Sequence, residues 1–487
     1  MQANRPNILW ITTDQQRHDT IAALGHGHMH TPHLDDLVRR GVAFSRAYCQ
    51  SPVCTPSRAS FMTGRYASAV HQNRNAAAYF APPYHNEPTL VTKILSDAGY
   101  DCGLVGKLDL CFDRSATEPR SDDGFGYFQY SSRPDLPANL DQDYHHWLRA
   151  KGLDPAALLG RKSDFRDAVT TFLPPSPTDD CTPAEFHQTT WCAEKAVEFI
   201  DMQRDGPWLL CLNVFYPHPP FDPPWEYYRR FDPATMPAPA FRDSDLQNQA
   251  ALRDVAFQTE ARPPQERNVR ELRAAYCAMI ELVDEQIGKI FDHLRRSDQW
   301  QNTVIVFTSD HGDMQGDHGL TRKGCRFYDS LTRVPLLWSW PSRFKHDLVS
   351  DALVELTDIA PTLLDIAGLE TPRGMQGRSL LPILEGRASP DRHRDHVRSE
   401  YYDGQQGGEC IFGTMYRDER WKIVLYHGHP VGEMYDMEND PKEFDNLWDN
   451  PDVQDVKHRL IKASFDATVT ALDIGPPLLV PDPSRRP

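Results

Sequence analysis

Four apolar runs in this chain break off in the same way, each into polar residues able to do chemistry, and that recurrence constrains the fold more than any other feature. Asn7-Ile8-Leu9-Trp10-Ile11 leads into Thr12-Thr13-Asp14-Gln15, and Tyr100 to Val105 into Gly106-Lys107. Pro207 to Phe215 leads into Tyr216-Pro217-His218, and Thr303 to Phe307 into Thr308-Ser309-Asp310-His311. Short runs that are apolar at nearly every position read as strands buried on both faces. Helical patterns lie between them, at Leu90 to Ala98, Pro183 to Gln203 and Arg267 to Leu294. The alternation predicts an α/β fold, with a mostly parallel central sheet flanked by helices. Ligands of such sheets collect at the carboxyl ends of the strands, so Asp14, Lys107, His218 and Asp310 are expected along one edge.

The 487 residues, 40% hydrophobic and 25% charged, suffice for a large core and a satellite domain. Residues 1–388 read as the catalytic domain. Residues 389–475 read as a smaller α+β subdomain with antiparallel strands at Thr414 to Tyr426 and Glu433 to Met437 and a helix from Asp452 to Ala471. Residues 476–487 form a Pro-rich tail, compatible with an arm that joins a homodimer or homotetramer. The segments 115–183 and 219–264 are rich in Asp and Pro and read as long loops that shape a pocket. A net charge of −17 argues against nucleic-acid or anionic-membrane partners, so an anionic substrate would need positive charge supplied locally. The residues before the first strand lack a leader's apolar core and cleavage site, and the ten cysteines are scattered without a C-x-x-C pair. Both observations suit reduced thiols and a cytoplasmic location.

Asp14 with Gln15, and Asp310 with His311, form two doublets of metal-ligand type, each at a strand end. Oxygen donors with one imidazole suit a hard divalent ion: Ca²⁺ first, Mn²⁺ or Mg²⁺ as alternatives. A single Asp at a strand end is ordinarily a turn residue or a helix cap, so the argument rests on the pair of doublets. Cys54-Thr55-Pro56-Ser57-Arg58 places a cysteine one helical turn before an arginine. Lys107 and Lys323 are candidate binders of non-bridging anion oxygens. His218, flanked by Pro217 and Pro219, is a candidate general acid held in a stiff segment. The histidines of Gly25-His26-Gly27-His28-Met29-His30 read as loop residues.

With these pieces in place the chain resembles the sulfatase family of the alkaline phosphatase superfamily, close to arylsulfatases and phosphonate monoester hydrolases. Cys54-Thr55-Pro56-Ser57-Arg58, followed by Ala59 to Arg65, matches the C-x-P-S-R pattern that sulfatases present for oxidation of the cysteine to formylglycine. Pro6 to Asp14, Gly99-Tyr100 with Gly106-Lys107, and Ser309 to Asp313 with Gly316 to Gly319 also match. So do Arg333 to Leu336, Asp358 to Leu363, Gly377 to Leu380, and Glu433 to Asp436 with Asn439 to Glu443. The resemblance implies an alkaline-phosphatase-like fold and a metal held by Asp14, Gln15, Cys54 as formylglycine, Asp310 and His311. It also implies supporting roles for Arg58, Lys107, His218 and Lys323, and it places Asn75, Lys107, His218 and Lys323 on the substrate. A formylglycine-generating enzyme is then an implied partner in maturation. The aldehyde hydrates to a diol, one hydroxyl to attack and the other to expel the product as the carbonyl re-forms.

Two departures bear on specificity. Gln15 and His311 stand where many sulfatases carry Asp and Asn, as in the phosphonate hydrolase branch, and Asp109 stands where sulfatases usually carry a histidine that assists collapse of the sulfated intermediate. Asp109 is therefore a candidate base, with contact to a cationic substrate group and no contact at all as alternatives. The expected activity is hydrolysis of small-molecule or saccharide sulfate monoesters. A phosphonate monoester or phosphodiester hydrolase using the same parts, and a non-catalytic anion-binding protein, are the rivals.

Overall fold

Strand β1 (Asn7–Thr13) turns Ile8 and Trp10 to one core and Leu9 and Ile11 to another, which is what a strand covered on both faces must do. The computed structural model describes residues 5–70, 90–110, 118, 120, 122–134, 141–159, 172–175, 181–255, 257–402 and 411–472. Among them the main sheet has nine strands. The others are β2 (Val42–Tyr48), β3 (Asp101–Gly106), β4 (Tyr127–Tyr130), β5 (Trp208–Val214), β6 (Thr303–Ser309), β7 (Arg333–Val334), β8 (Leu336–Ser339) and β9 (Leu348–Glu355). Their order is β4-β3-β5-β1-β6-β8-β2-β7, with β9 also paired to β2. The block from β4 to β6 is parallel, β8 runs antiparallel between β6 and β2, and β2 pairs parallel with β9.

On one face the helices Pro32–Arg39, Gln188–Ile200 and Val269–Arg296 bury Leu34, Trp191, Phe199 and Leu282 against the sheet. On the other, Cys54–Thr63, Val91–Asp97 and Ile359–Ile366 bury Phe61, Leu95 and Leu363. A second, four-stranded antiparallel sheet follows in the C-terminal region: β10 (Val397–Tyr402), β11 (Phe412–Arg417), β12 (Trp421–His427) and β13 (Gly432–Asp436). Its Met415 and Val424 pack with Tyr48 and Phe327 of the main body, and its Ile423 and Met434 pack with Leu460 of the helix Gln454–Ala471. The fold class is as expected: a mostly parallel sheet between helices, plus a separate antiparallel sheet.

The reading of 115–183 and 219–264 as loops is corrected in part. The first contains β4 and the helices Asp143–Ala150 and Pro155–Leu159, and the second contains the helices Trp225–Tyr228 and Asp243–Ala251. These elements are short and interrupted by Pro, Asp and Gly, so their periodicity is faint in the sequence. No helix among the described residues is long and apolar enough to cross a membrane.

Candidate active site

β1 and β6 are parallel neighbours with Thr13 opposite Ser309, so the next residues, Asp14 and Asp310, leave the sheet side by side. β3 and β5 run the same way beside them and release Lys107 and His218 at the same edge. Gly106 has φ 100°, and a Cβ there would lie 2.0 Å from the Asn213 carbonyl oxygen, so only glycine can precede Lys107 in this turn. The two antiparallel steps through β8 restore the direction of β2, whose end therefore also faces this edge and leads into Cys54. The helix Cys54–Thr63 begins at Cys54 and stops at Gly64 in the left-handed conformation, φ 67°. Cys54 thus lies at the positive end of a helix.

The sulfur of Cys54 is 2.8 Å from Lys323 Nζ, 3.2 Å from His311 Nε2 and 3.6 Å from Asp14 Oδ1. Lys107 Nζ lies 2.5 Å from Asp14 Oδ2 and 3.1 Å from Asp109 Oδ2. Arg58 does not reach back to Cys54 by any hydrogen bond among the described residues. Its Nε donates to Asp310 Oδ2 at 2.9 Å and its Nη1 to the Lys107 carbonyl at 3.2 Å, while Nη2 stands 3.8 Å from Asp14 Oδ2. Arg58 is fully buried, so its charge is held in place by Asp310 and Asp14 together.

Asp14, Cys54, Asp310 and His311 each offer one donor atom, and these atoms all lie within 4.8 Å of one another. His311 Nδ1 is 2.8 Å from the Gly312 carbonyl, which assigns the ring proton to that nitrogen and leaves the Nε2 lone pair facing the cluster. Gln15 is buried, its carboxamide nitrogen donates to Asp313, and its Oε1 has no hydrogen-bond partner among the described residues. An orphaned buried carbonyl oxygen on the residue next to Asp14, together with the two carboxylates and the imidazole of the cluster, fits a hard divalent ion, which would supply positive charge to the attacked group and acidify an adjacent hydroxyl.

Residues 6–369 match the sulfatase family, and residues 316–468 match the C-terminal region of N-sulphoglucosamine sulphohydrolase. The chain belongs to the sulfatase family. That family is metal-dependent, in keeping with the buried donor cluster. Among curated relatives, the arylsulfatase of Clostridium perfringens is 28% identical over 91% of this chain and 90% of its own length. The multifunctional alkaline phosphatase superfamily protein PehA of Trinickia caryophylli is 30% identical, covering 92% of each chain. Among solved structures, the phosphonate monoester hydrolase of Agrobacterium radiobacter superposes with a TM-score of 0.80 at 28% identity, covering 96% of each chain.

In this sulfatase-family site burial works against every charge, and the neighbours decide the outcome. Burial alone would raise Asp14, yet the cations Lys107, Lys323 and Arg58 hold its carboxyl well below the usual range. Lys107 loses from burial but gains more from Asp109 and Asp14, so its ammonium is fixed in the charged form. The protein's own groups push the Cys54 thiol up to about 12, by burial and by Asp14, against the opposing pull of Lys107 and Lys323. An unmodified Cys54 held there is a neutral thiol near neutral pH and a poor nucleophile. Burial, and then Lys323, lower His311, keeping its imidazole neutral and able to ligate.

His218 stands at the end of β5, its Nδ1 2.6 Å from the Pro219 carbonyl and its ring against Phe215 at 4.6 Å between centroids. That contact leaves Nε2 as the working nitrogen. Asp109 is buried with φ 58°, its N–H donating to Glu118 Oε2 at 2.7 Å, and it touches Lys107 rather than the donor cluster. Asn75 lies outside the described residues. Asp313 and Ser57 lie within the motifs, and nothing in the sequence beyond their position marks a role for either. Ser57 Oγ donates to the Asp310 carbonyl at 2.6 Å, and Asp313 holds Gln15. Their signal is position alone: each lies three residues from a site residue, in a segment that has to turn.

Proposed function

We propose that this chain is a metal-dependent hydrolase of sulfate monoesters, aryl or sugar, whose nucleophile is formylglycine made by oxidation of Cys54. The observation that carries the reading is the placement of Cys54. It starts a buried helix, with Lys323, His311 and Asp14 all within 3.6 Å of its sulfur. Formylglycine supplies, as its hydrate, two hydroxyls on one carbon, one for attack and one for release. A divalent ion would be held by Asp14, Gln15, Asp310, His311 and residue 54 and would supply charge that the protein's own groups lack. Among those named, the cations Arg58, Lys107 and Lys323 are balanced by the carboxylates Asp14, Asp109 and Asp310. A bound divalent ion makes the pocket net positive inside a chain of net charge −17.

Lys107 and Lys323 then bind the non-bridging oxygens of the ester, and Arg58 keeps Asp14 and Asp310 in register without leaving its own buried position. His218 Nε2 holds the proton that the departing alcohol or phenol requires. Asp109 anchors Lys107, its Oδ2 3.1 Å from the ammonium.

A second reading, hydrolysis of phosphonate monoesters or phosphodiesters by the same residues, is favoured by the likeness to the Agrobacterium radiobacter enzyme and by the Gln15 and His311 pair. The test is kcat/KM on 4-nitrophenyl sulfate against 4-nitrophenyl phenylphosphonate, on protein whose residue 54 has been read by peptide mass spectrometry. Formylglycine with a higher value on the sulfate supports the first reading, and a higher value on the phosphonate replaces it with the second. Unmodified cysteine in protein from its native host overturns the nucleophile for both.

A further inference from the structure

Gln15 leaves β1 in the left-handed region, φ 70°, with its main chain gripped on both sides. Its N–H donates to Asp310 Oδ1 at 3.0 Å and its carbonyl accepts from Tyr276 Oη at 2.7 Å. The backbone therefore cannot move to suit the side chain, and what remains free is which end of the carboxamide points which way. Asp313, itself buried, accepts a short hydrogen bond from Gln15 Nε2 on its Oδ2. Its Oδ1 accepts from the N–H groups of Gln315 at 2.8 Å and Arg322 at 3.2 Å. Arg322 immediately precedes Lys323, whose ammonium lies 2.8 Å from Cys54 Sγ.

We propose that Asp313 is a positioning residue that sets the orientation of the Gln15 carboxamide, so that its oxygen and not its nitrogen is presented to the metal. The inference rests on the reading of Asp14, Gln15, Asp310 and His311 as the ligand set. Asp313 Oδ1 already accepts two backbone N–H groups and its Oδ2 meets Gln15 Nε2, so the amide edge facing Asp313 is the NH₂ and the remaining edge is Oε1. An amide nitrogen has no lone pair to give a cation, so reversing the carboxamide removes a ligand while changing the shape of the site very little. The same carboxylate anchors the turn that delivers Lys323, which links ion binding and oxyanion binding through one side chain.

Asp313→Asn tests this, because the two backbone N–H groups claim the oxygen of the new amide and turn its NH₂ toward Gln15, forcing the Gln15 carboxamide to reverse. Titration of Ca²⁺ alone, and Mn²⁺ alone, into chelator-stripped protein is expected to show affinity about 10–100-fold weaker than wild type. In the double variant Gln15→Glu with Asp313→Asn, the carboxylate introduced at position 15 accepts from the amide introduced at position 313 and still presents an oxygen. It is expected to regain about tenfold or more of the lost affinity. A lost packing contact alone predicts no such rescue. Wild-type protein that binds neither ion overturns the metal reading and this inference with it. D313N that binds as wild type, or a double variant no better than D313N, overturns this inference alone. If D313N does not fold by circular dichroism, the double variant decides: recovery of fold and ion binding supports the proposal, and its absence overturns it.

Discussion

The ammonium nitrogen of Lys107 lies 2.5 Å from Oδ2 of Asp14, closer to that carboxylate than any other cation of the site. Lys107 therefore keeps Asp14 ionised, and on the proposed reading it is also a ligand of the ester. Lys107→Met should lower kcat/KM for an aryl sulfate about 10²- to 10³-fold, the usual effect of losing one donor to a developing anion. Asp14 loses its largest favourable partner in the same variant, so its depressed pKa moves up toward the ordinary value. Ion binding, which needs the carboxylate, is then lost at a higher pH on acidification than in wild type. Calcium titrations at several pH values check this, and an unchanged acid limit would show that Lys107 does not govern Asp14.

His218 meets a different electrostatic demand. Burial takes its pKa well below the usual histidine range, Lys323 and Lys107 take it further down, and Asp14 only partly offsets them. The free enzyme thus holds His218 neutral at neutral pH, and the fraction able to donate a proton grows as pH falls. Because kcat/KM reports the free enzyme, it should rise with acidification for an ester with a poor leaving group. His218→Ala should cost about 10²- to 10⁴-fold on an alkyl sulfate and flatten that pH dependence. On 4-nitrophenyl sulfate, whose phenolate departs without help, the loss should be much smaller. Equal losses on both esters would remove His218 from the role of acid.

Away from the site, Lys422 of β12 is fully buried and donates to Asp329 Oδ1 at 2.6 Å, Glu443 Oε1 at 2.7 Å and the Phe327 carbonyl at 3.0 Å. This cluster ties the antiparallel sheet to the segment that follows Lys323. Removing the cation leaves two buried carboxylates facing each other, so Lys422→Met should destabilise by about 3–5 kcal/mol. Replacing all three together, with Asp329→Asn and Glu443→Gln added, should recover part of that loss, because the two carboxylates no longer repel, while Arg417 Nη1, 3.7 Å from Asp329 Oδ2, loses that carboxylate. Urea unfolding of the two variants separates a buried ionic cluster from simple packing, which would make the triple variant the worse of the two.

The site was legible where chemistry coincides with a strand end. Asp14, Lys107, His218 and Asp310 follow apolar runs whose period and length mark buried parallel strands, and the sheet then brings them to one edge without further information. Cys54 and Arg58 were legible as a pattern, but the direction of Arg58 was not. One helical turn of spacing put it over Cys54, whereas two buried carboxylates from other strands claim its guanidinium. The stretch Arg333 to Leu336, which holds β7 and the start of β8, was legible only through the family pattern, and β2 and β9 went unread because each has partly exposed positions and they pair with each other across a long sequence separation. Asp313 and Lys422 stayed silent for the same reason. Their roles depend on which residues of distant segments meet them, and no local period records that.

Asp284, on the helix Val269–Arg296, gives a pH-dependence of stability whose sign is set by its burial. Its carboxyl accepts from the N–H groups of His33 at 3.1 Å and Leu34 at 2.7 Å, capping the start of the helix Pro32–Arg39 from a neighbouring helix. Burial pushes its pKa from the ordinary 3.8 up to about 7, against the lowering effect of those two hydrogen bonds. The folded state therefore holds the proton more tightly than the unfolded chain. The associated stability is fully present below pH 3.8 and is lost as pH rises through about 7. A shift of that size corresponds to a free energy on the order of 4 kcal/mol. Wild-type Tm should fall between about pH 4 and pH 7 and level off above, and Asp284→Asn, which keeps an oxygen for the Leu34 N–H but cannot ionise, should flatten the fall. Parallel Tm curves for the two proteins across that range would show that Asp284 stays ionised when folded, held by its helix-capping bonds against the cost of burial.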